Sequence, residues 1–320
     1  MRKNVHCGIS ISGGGLRYVE LKKEGTSLKC NARAKVFLPK EVIQMESVID
    51  TEALYLALKK LKKKIGRFGK VKAAFGIPMR DSHEGFVDFP RNMPFDEVIK
   101  SLHWQLDQYL PLTAEKAYYD AVEIDFPFPP KDSNQRESFR KYLVIASSKS
   151  FIDKIMKAIT SAGFFPTALE PTSIALFRSA LISPKDSEGL ADAFDSKEGY
   201  LSFFLGDTIS LIALGYKDDG IFYRPVMLGR KTNSEYLVQN IVKEIKFTVD
   251  YLNGYYPYLG INRLFLIGLT KLASELRDAL KSAVAFPVTL LDPWKNFPLD
   301  ERPRGGGWEA PLGLALRDII

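Results

Sequence analysis

Cysteine is nearly absent from this chain of 320 residues, with Cys7 and Cys30 as its two representatives. They show no CxxC spacing and no histidine-rich neighbourhood, which excludes a structural zinc site and points to a reducing compartment. Histidine is equally scarce: His6, His83 and His103 are accompanied by no serine or cysteine motif, so no nucleophile–base signature is present. Long apolar runs are missing as well. None approaches the roughly 20 residues that cross a bilayer, and the best stretch, Tyr200 to Tyr216, is interrupted by Asp207. Met1 to His6 is basic, but a glycine-rich polar segment follows where a secretory leader would need a continuous apolar core. A soluble, cytoplasmic protein is the expectation.

What is present is a globular composition, 46% hydrophobic and 26% charged, long enough for two domains or one two-lobed fold. The net charge of +7 is concentrated in Lys59, Lys60, Lys62, Lys63, Lys64, Arg67, Lys70 and Lys72. Leu54, Ala57, Leu58, Leu61 and Ile65 fall between them at helical spacing, which predicts an amphipathic helix with a basic outer face. Such a face is either simply solvated or suited to the anionic inner leaflet of a membrane. Nucleic acid is not expected, because aromatic residues are not interleaved with the lysines.

Periodicity and turn chemistry give an order of elements. Val5 to Ile11 reads as a strand, Gly13-Gly14-Gly15 as a tight turn, and Leu16 to Lys22 and Leu28 to Val36 as two further strands. A helix with Thr51 as its N-cap and a strand from Val71 to Ile77 follow. Next come a helix after Pro94, strands at Tyr118 to Asp125 and Tyr142 to Ser147, and a helix ending at Gly163. Ser183 to Lys197 reads as a linker. The same hairpin–strand–helix–strand order then begins again at Tyr200, with Gly206-Asp207-Thr208 as its turn. Internal duplication implies two similar α/β lobes facing one another across a cleft. Gly305-Gly306-Gly307 has no strand before it and reads as a flexible loop.

Two lobes, each opened by a glycine-bearing hairpin, resemble the actin, hexokinase and Hsp70 superfamily. More specifically, the chain resembles the PilM family of type IV pilus assembly and, more distantly, the cytoplasmic region of GspL. The residues that carry this are Gly8-Ile9-Ser10-Ile11-Ser12 with Tyr18-Val19-Glu20-Leu21, the Met93 to Val122 segment, Ala162 to Glu170 with Ala175-Leu176-Phe177-Arg178, and Gly313 to Arg317. The resemblance implies an α/β, two-lobed actin-like (ribonuclease H-like, duplicated) fold. The first lobe would span 1–195, with a small α+β subdomain inserted at about 82–140, and the second 196–320.

The resemblance also implies a nucleotide site, clasped by backbone N–H groups of the two hairpins. Ser10, Ser12, Gly13, Gly14 and Gly15 would come from the first hairpin, Gly206 and Asp207 from the second. Gly268, followed by Leu269 and Thr270, would supply the loop near the base, and Glu244 and Lys246 the helix beside the adenosine. Three departures stand out. Serine at 10 and phenylalanine at 204 occupy positions where the family carries aspartate, and Leu269 replaces a glycine. Without those carboxylates Mg²⁺ loses its ligands, so no turnover is expected, and ATP with Mg²⁺ remains only as a weakened option.

The function then implied is that of a scaffold, peripheral to the inner membrane through the N-terminal tail of a PilN-like membrane protein. In relatives that tail lies between the first lobe and its inserted subdomain, where Phe89, Phe95, Trp104 and Tyr109 would be available as apolar anchors. The alternatives are an active ATPase or small-molecule kinase of the same fold, or the equivalent component of a type II secretion or mannose-sensitive pilus system.

Overall fold

The computed structural model describes all residues except 1–4, 26, 40–41, 45–46, 49, 128–137, 184–189, 207–208, 229–233, 269–271, 298–302 and 304–305. Val5–Ser12 (β1) and Gly15–Glu24 (β2) form an antiparallel hairpin whose Ser12↔Gly15 closing pair leaves Gly13-Gly14 as a two-residue turn. Gly15 belongs to the strand. Its φ is +114°, and a Cβ there would lie 2.4 Å from the Val36 carbonyl, so glycine is required by the approach of the next strand. That strand, Ser27–Val36 (β3), pairs with β2, and Ile43–Gln44 (β4) with Ser47–Val48 (β5) makes a small ribbon.

Thr51–Ile65 (α1) buries Leu54, Ala57, Leu58 and Leu61, as the spacing predicts. Its N-cap is Asp50 rather than Thr51: the Asp50 carboxylate accepts the Ala53 N–H at 2.9 Å. Val71–Ile77 (β6) then runs parallel to β1. An inserted unit follows, built from His83–Pro90 (β7), Phe95–Tyr109 (α2), Ala117–Ile124 (β8) and Phe139–Ser148 (β9). Its strands pair antiparallel in the order β7-β9-β8 and carry α2 through Val98, Leu102 and Leu106. The sheet continues to Ser148, beyond the expected boundary near 140.

The chain returns through Lys149–Ser161 (α3) to Phe164–Pro171 (β10), parallel to β6, and Thr172–Leu181 (α4). Part of the expected linker is helical: Leu190–Asp195 (α5) seats Ala193 in the core and Phe194 against the Tyr200 ring, 5.5 Å away. The second lobe comprises Gly199–Phe204 (β11), Ile209–Tyr216 (β12), Asp219–Met227 (β13), Ser234–Tyr255 (α6), Ile261–Ile267 (β14), Leu272–Lys281 (α7) and Val288–Leu291 (β15). The chain's last helix is Glu309–Leu316 (α8). The two main sheets have the orders β10-β6-β1-β2-β3 and β15-β14-β11-β12-β13, which are the same topology twice. This is the duplicated, two-lobed actin-like architecture.

The lobes are not divided at residue 195, because their terminal helices are exchanged. Leu176, Phe177 and Ala180 of α4 pack with Tyr200, Phe204 and Phe265 of the second sheet. Leu312, Ala315 and Leu316 of α8 pack with Val19 and Leu21 of the first. Where the two helices meet, a Cβ on Gly313 would stand 1.7 Å from the Ala175 carbonyl, and one on Gly8 would stand 2.2 Å from that of Pro311. Arg178 binds the crossing together, donating to Glu170 at 2.5 and 3.1 Å and to the Gly313 carbonyl at 3.1 Å. Among the described residues no helix is long and apolar enough to cross a membrane.

Gly313→Ala is therefore expected to destabilise the chain by about 3 kcal/mol through overpacking. Gly254→Ala, in α6 with nothing within 4 Å of the added methyl, is expected to stabilise it by about 0.5–1 kcal/mol. Urea unfolding of the two variants checks the opposite signs.

Candidate functional site

Both hairpins deliver their turns to the same place, between the lobes. In the β1–β2 register Ser10 faces Arg17, and in the β1–β6 register it faces Gly76, so it lies at the end of the first sheet where β6 gives way to Pro78. On the other side β11 ends at Phe204, and Gly206 follows so close to β12 that a Cβ would lie 1.9 Å from the Ile209 carbonyl. The Gly206 N–H is held by Ser210 Oγ at 3.3 Å. Ser10, Ser12, Arg17, Phe204, Gly206 and Glu309 line the resulting cavity, whose volume is about 50 Å³. Pockets that enclose drug-sized ligands run to roughly 300–1,000 Å³, so this space as it stands suits water or a small ion.

Among the described residues its charged groups are a cation from β2 and a carboxyl from α8. Arg17 is almost fully buried, donates to Ser12 Oγ at 3.4 Å, and sits with its guanidinium 6.0 Å from the centre of the Trp308 ring. Gly307, with φ +80°, packs directly on it: a Cβ would stand 3.0 Å from Arg17 Cζ. Gly307 is thus part of the site rather than a flexible loop, while Gly305 is outside the described residues. Glu309 opens α8 and is buried. Burial pushes its carboxyl up to about 7, against the lowering effects of its backbone hydrogen bonds and of Arg17. The Ser10 hydroxyl is also buried and has no hydrogen-bond partner among the described residues. Neither Ser10 nor Phe204 supplies a carboxylate, and among the described residues no cluster of three or more His, Cys, Asp or Glu could hold a metal.

The other residues expected here divide. Gly13 and Gly14 form the turn of the first hairpin beside the cavity. Gly268, with φ +117°, abuts the second, its added Cβ falling 2.9 Å from the Leu205 carbonyl. Asp207, Leu269 and Thr270 lie outside the described residues. Glu244 and Lys246 are not brought to the cavity. Arg224 of β13 takes the Glu244 carboxylate at 2.6 Å, and Lys246 lines a separate groove with Phe247, Asp250 and Ala279.

The four aromatics expected to form one partner groove do not share a surface. Phe89 is only 4% exposed and packs edge-on against Tyr142, so it belongs to the core of the inserted unit. Phe95 and Tyr109 lie at the two ends of the packed stripe of α2, beside the sheet. Trp104, 78% exposed, projects from the opposite helical face. Arg17, Gly307 and Glu309 were not anticipated. The sequence signal for Arg17 was its register position opposite Ser10.

Duplicated sheets, exchanged helices and two converging hairpins define a two-lobed protein of the actin-like class. The family described as type IV pilus assembly protein PilM matches residues 8–188. The chain belongs to that family. Over 98% of its length, and 98% of the other chain's, it is similar to a protein of a PilM-PilN type IV pilus biogenesis complex, with 18% identity and a TM-score of 0.76. Weaker similarity extends to a Bacteroides thetaiotaomicron protein of actin-like ATPase fold (12% identity, 91% and 92% of the two chains, TM-score 0.49). It extends also to the cytoplasmic domain of EpsL, an inner membrane component of the Vibrio cholerae type II secretion system (10% identity, 98% and 94%, TM-score 0.47). These last two are too distant to bear on the chemistry of this chain.

The Glu309 carboxyl gives the site a pH signature. Its folded pKa of about 7 stands above the ordinary 4.5, so between those values the folded state keeps a proton that the unfolded chain has released. Stability then falls as pH rises through that window. Glu309→Gln is expected to remove a loss on the order of 3 kcal/mol between pH 5 and 8. Unfolding curves of variant and wild type that ran parallel across that range would show that the carboxyl is not buried in this way.

Proposed function

We propose that the chain acts as a scaffold in the inner-membrane assembly complex of a type IV pilus, binding the N-terminal tail of a PilN-like membrane protein and turning over no ATP. The observation that carries this reading is family membership, together with end-to-end similarity to a protein solved in a PilM-PilN complex. Partner binding would tether the chain to the cytoplasmic side of the inner membrane.

The absence of turnover is supported by the chemistry of the cleft. A metal–nucleotide complex needs carboxylates to hold the ion and orient the attacking water. Here the corresponding strand positions carry a hydroxyl at Ser10 and a buried ring at Phe204, and the cavity between them is small. Its fixed positive charge is already supplied by Arg17. On this reading the described residues of the cleft, which do not include Asp207, do not fit Mg·ATP.

For the tail, the inserted unit offers exposed apolar side chains on several faces: Phe95, Trp104 and Tyr109 on α2, and Tyr118 and Val122 on β8. A short extended peptide with apolar anchors would use such groups as its affinity-determining contacts. Phe89, being core, would contribute only to folding.

Isothermal titration of the chain with Mg·ATP and then with a synthetic partner tail tests both halves. Tail binding without ATP turnover is expected; steady ATP hydrolysis, or a folded chain that ignores the tail, contradicts the reading. Because Trp104 and Tyr109 lie on different faces of α2, one of the single variants Trp104→Ala and Tyr109→Ala, not both, is expected to weaken tail binding about tenfold with its unfolding midpoint unchanged. Phe89→Ala is expected to lower stability by about 3–5 kcal/mol.

A further inference from the structure

The pole of the first lobe farthest from the cleft carries an unusual combination of groups. Strands β6 and β10 start there, at Val71 and Phe164, and run in parallel towards Ile77 and Pro171 beside the cavity. Helices α1 and α3 pack together over the same sheet, with Lys59, Lys60 and Lys63 exposed on α1 and Lys154 and Lys157 on α3. Lys70 and Lys72 are exposed at the strand start. Opposing charge is scarce. Helix α1 carries one acidic residue, Glu52 in its first turn, and α3 carries one, Asp153, whose carboxylate accepts the Tyr118 hydroxyl at 3.2 Å.

A turn between α1 and β6 adds an apolar tip. Gly66 and Gly69, with φ of +64° and +75°, bracket Arg67 and Phe68. Arg67 is drawn inward to the fully buried Glu20 carboxylate, which also accepts Tyr18 Oη and Asn31 Nδ2, each at 2.5 Å. With its neighbour anchored, Phe68 is left fully exposed. Phe165 is half-exposed nearby, with Lys72 Nζ 5.7 Å from its ring centre. Phe68 stands inside the basic run, so the expected lack of interleaved aromatics holds only for the lysines of the helix itself.

We propose that this pole docks on an anionic lipid surface, with the lysines at headgroup level and the Phe68 ring inserted at the interface. Each part has a physical role. Clustered lysines are drawn to the negative surface potential of an acidic leaflet, and an aromatic ring gains by leaving water at the polar–apolar boundary. The Glu20–Arg67 pair keeps the ring on a short, braced turn rather than letting it fold back onto the lobe. A nucleic-acid track would instead need several aromatic faces along a basic groove, whereas here the two rings are gathered at one tip. The docking is independent of the tail-binding reading, since it uses the chain alone.

Co-sedimentation of the full chain with vesicles tests it. Binding is expected to vesicles with about 40% phosphatidylglycerol, not to pure phosphatidylcholine, and to fall at least about tenfold when salt rises from 0.1 to about 0.5 M. Phe68→Ala is expected to reduce binding several-fold, and Lys59→Glu/Lys60→Glu/Lys63→Glu to abolish it, both with unchanged melting temperature. Equal binding to neutral vesicles, no binding to either kind, or indifference to both variants would overturn the proposal. So would tighter binding to duplex or single-stranded DNA than to the acidic vesicles.

Discussion

Everything between the lobes depends on the close crossing of helices α4 and α8. Each belongs by sequence to one lobe and packs on the sheet of the other, and they touch where Gly313 meets the Ala175 backbone. A side chain at that point would hold the helices apart. Because α8 also lies against β1 at Gly8, the crossing fixes how far the first hairpin stands from the last segment of the chain. The bidentate Arg178–Glu170 pair, with Arg317 3.4 Å from the same carboxylate, adds directional bonds to what is otherwise contact between apolar surfaces.

The chemistry of the cleft follows from that geometry. With α8 drawn up against the first sheet, Glu309 enters the cavity and Trp308 and Gly307 close over Arg17. The ends of the hairpin strands converge on a space lined by the chain's own guanidinium and carboxyl. On the proposed reading that space serves the packing of the lobes rather than a nucleotide. Outward-facing surfaces are then where a partner or a membrane would be met: the inserted unit with its exposed aromatic groups, and the basic pole beyond it.

Much of this architecture was legible in the sequence, for local reasons. Paired glycines in a tight turn, strand alternation and the leucine stripe of α1 are short-range signals, and their repetition near residues 5 and 200 revealed the duplication. The buried state of Phe89 was readable too, since strand alternation places Val87 and Phe89 on one face and Asp88 on the other. Helical spacing likewise sets Trp104 opposite Phe95 and Tyr109. The exchanged helices were not readable. A glycine at 8 or 313 announces that something approaches closely without saying what. The pairing of Glu244 was not readable either, because its partner Arg224 is on a strand about 20 residues earlier in the chain. Arg17 looked like one basic residue among many, and its burial depends on Trp308 and Gly307 at the far end of the chain.

Hydrogen–deuterium exchange of the chain alone, with Mg·ATP, and with the partner tail tests the central claim most directly, that the cleft is structural and the inserted unit functional. The account predicts that Mg·ATP leaves exchange at β1, β2 and the β11–β12 turn unchanged, while the tail protects segments of the inserted unit between His83 and Ser148. Protection of both hairpins by Mg·ATP would contradict it.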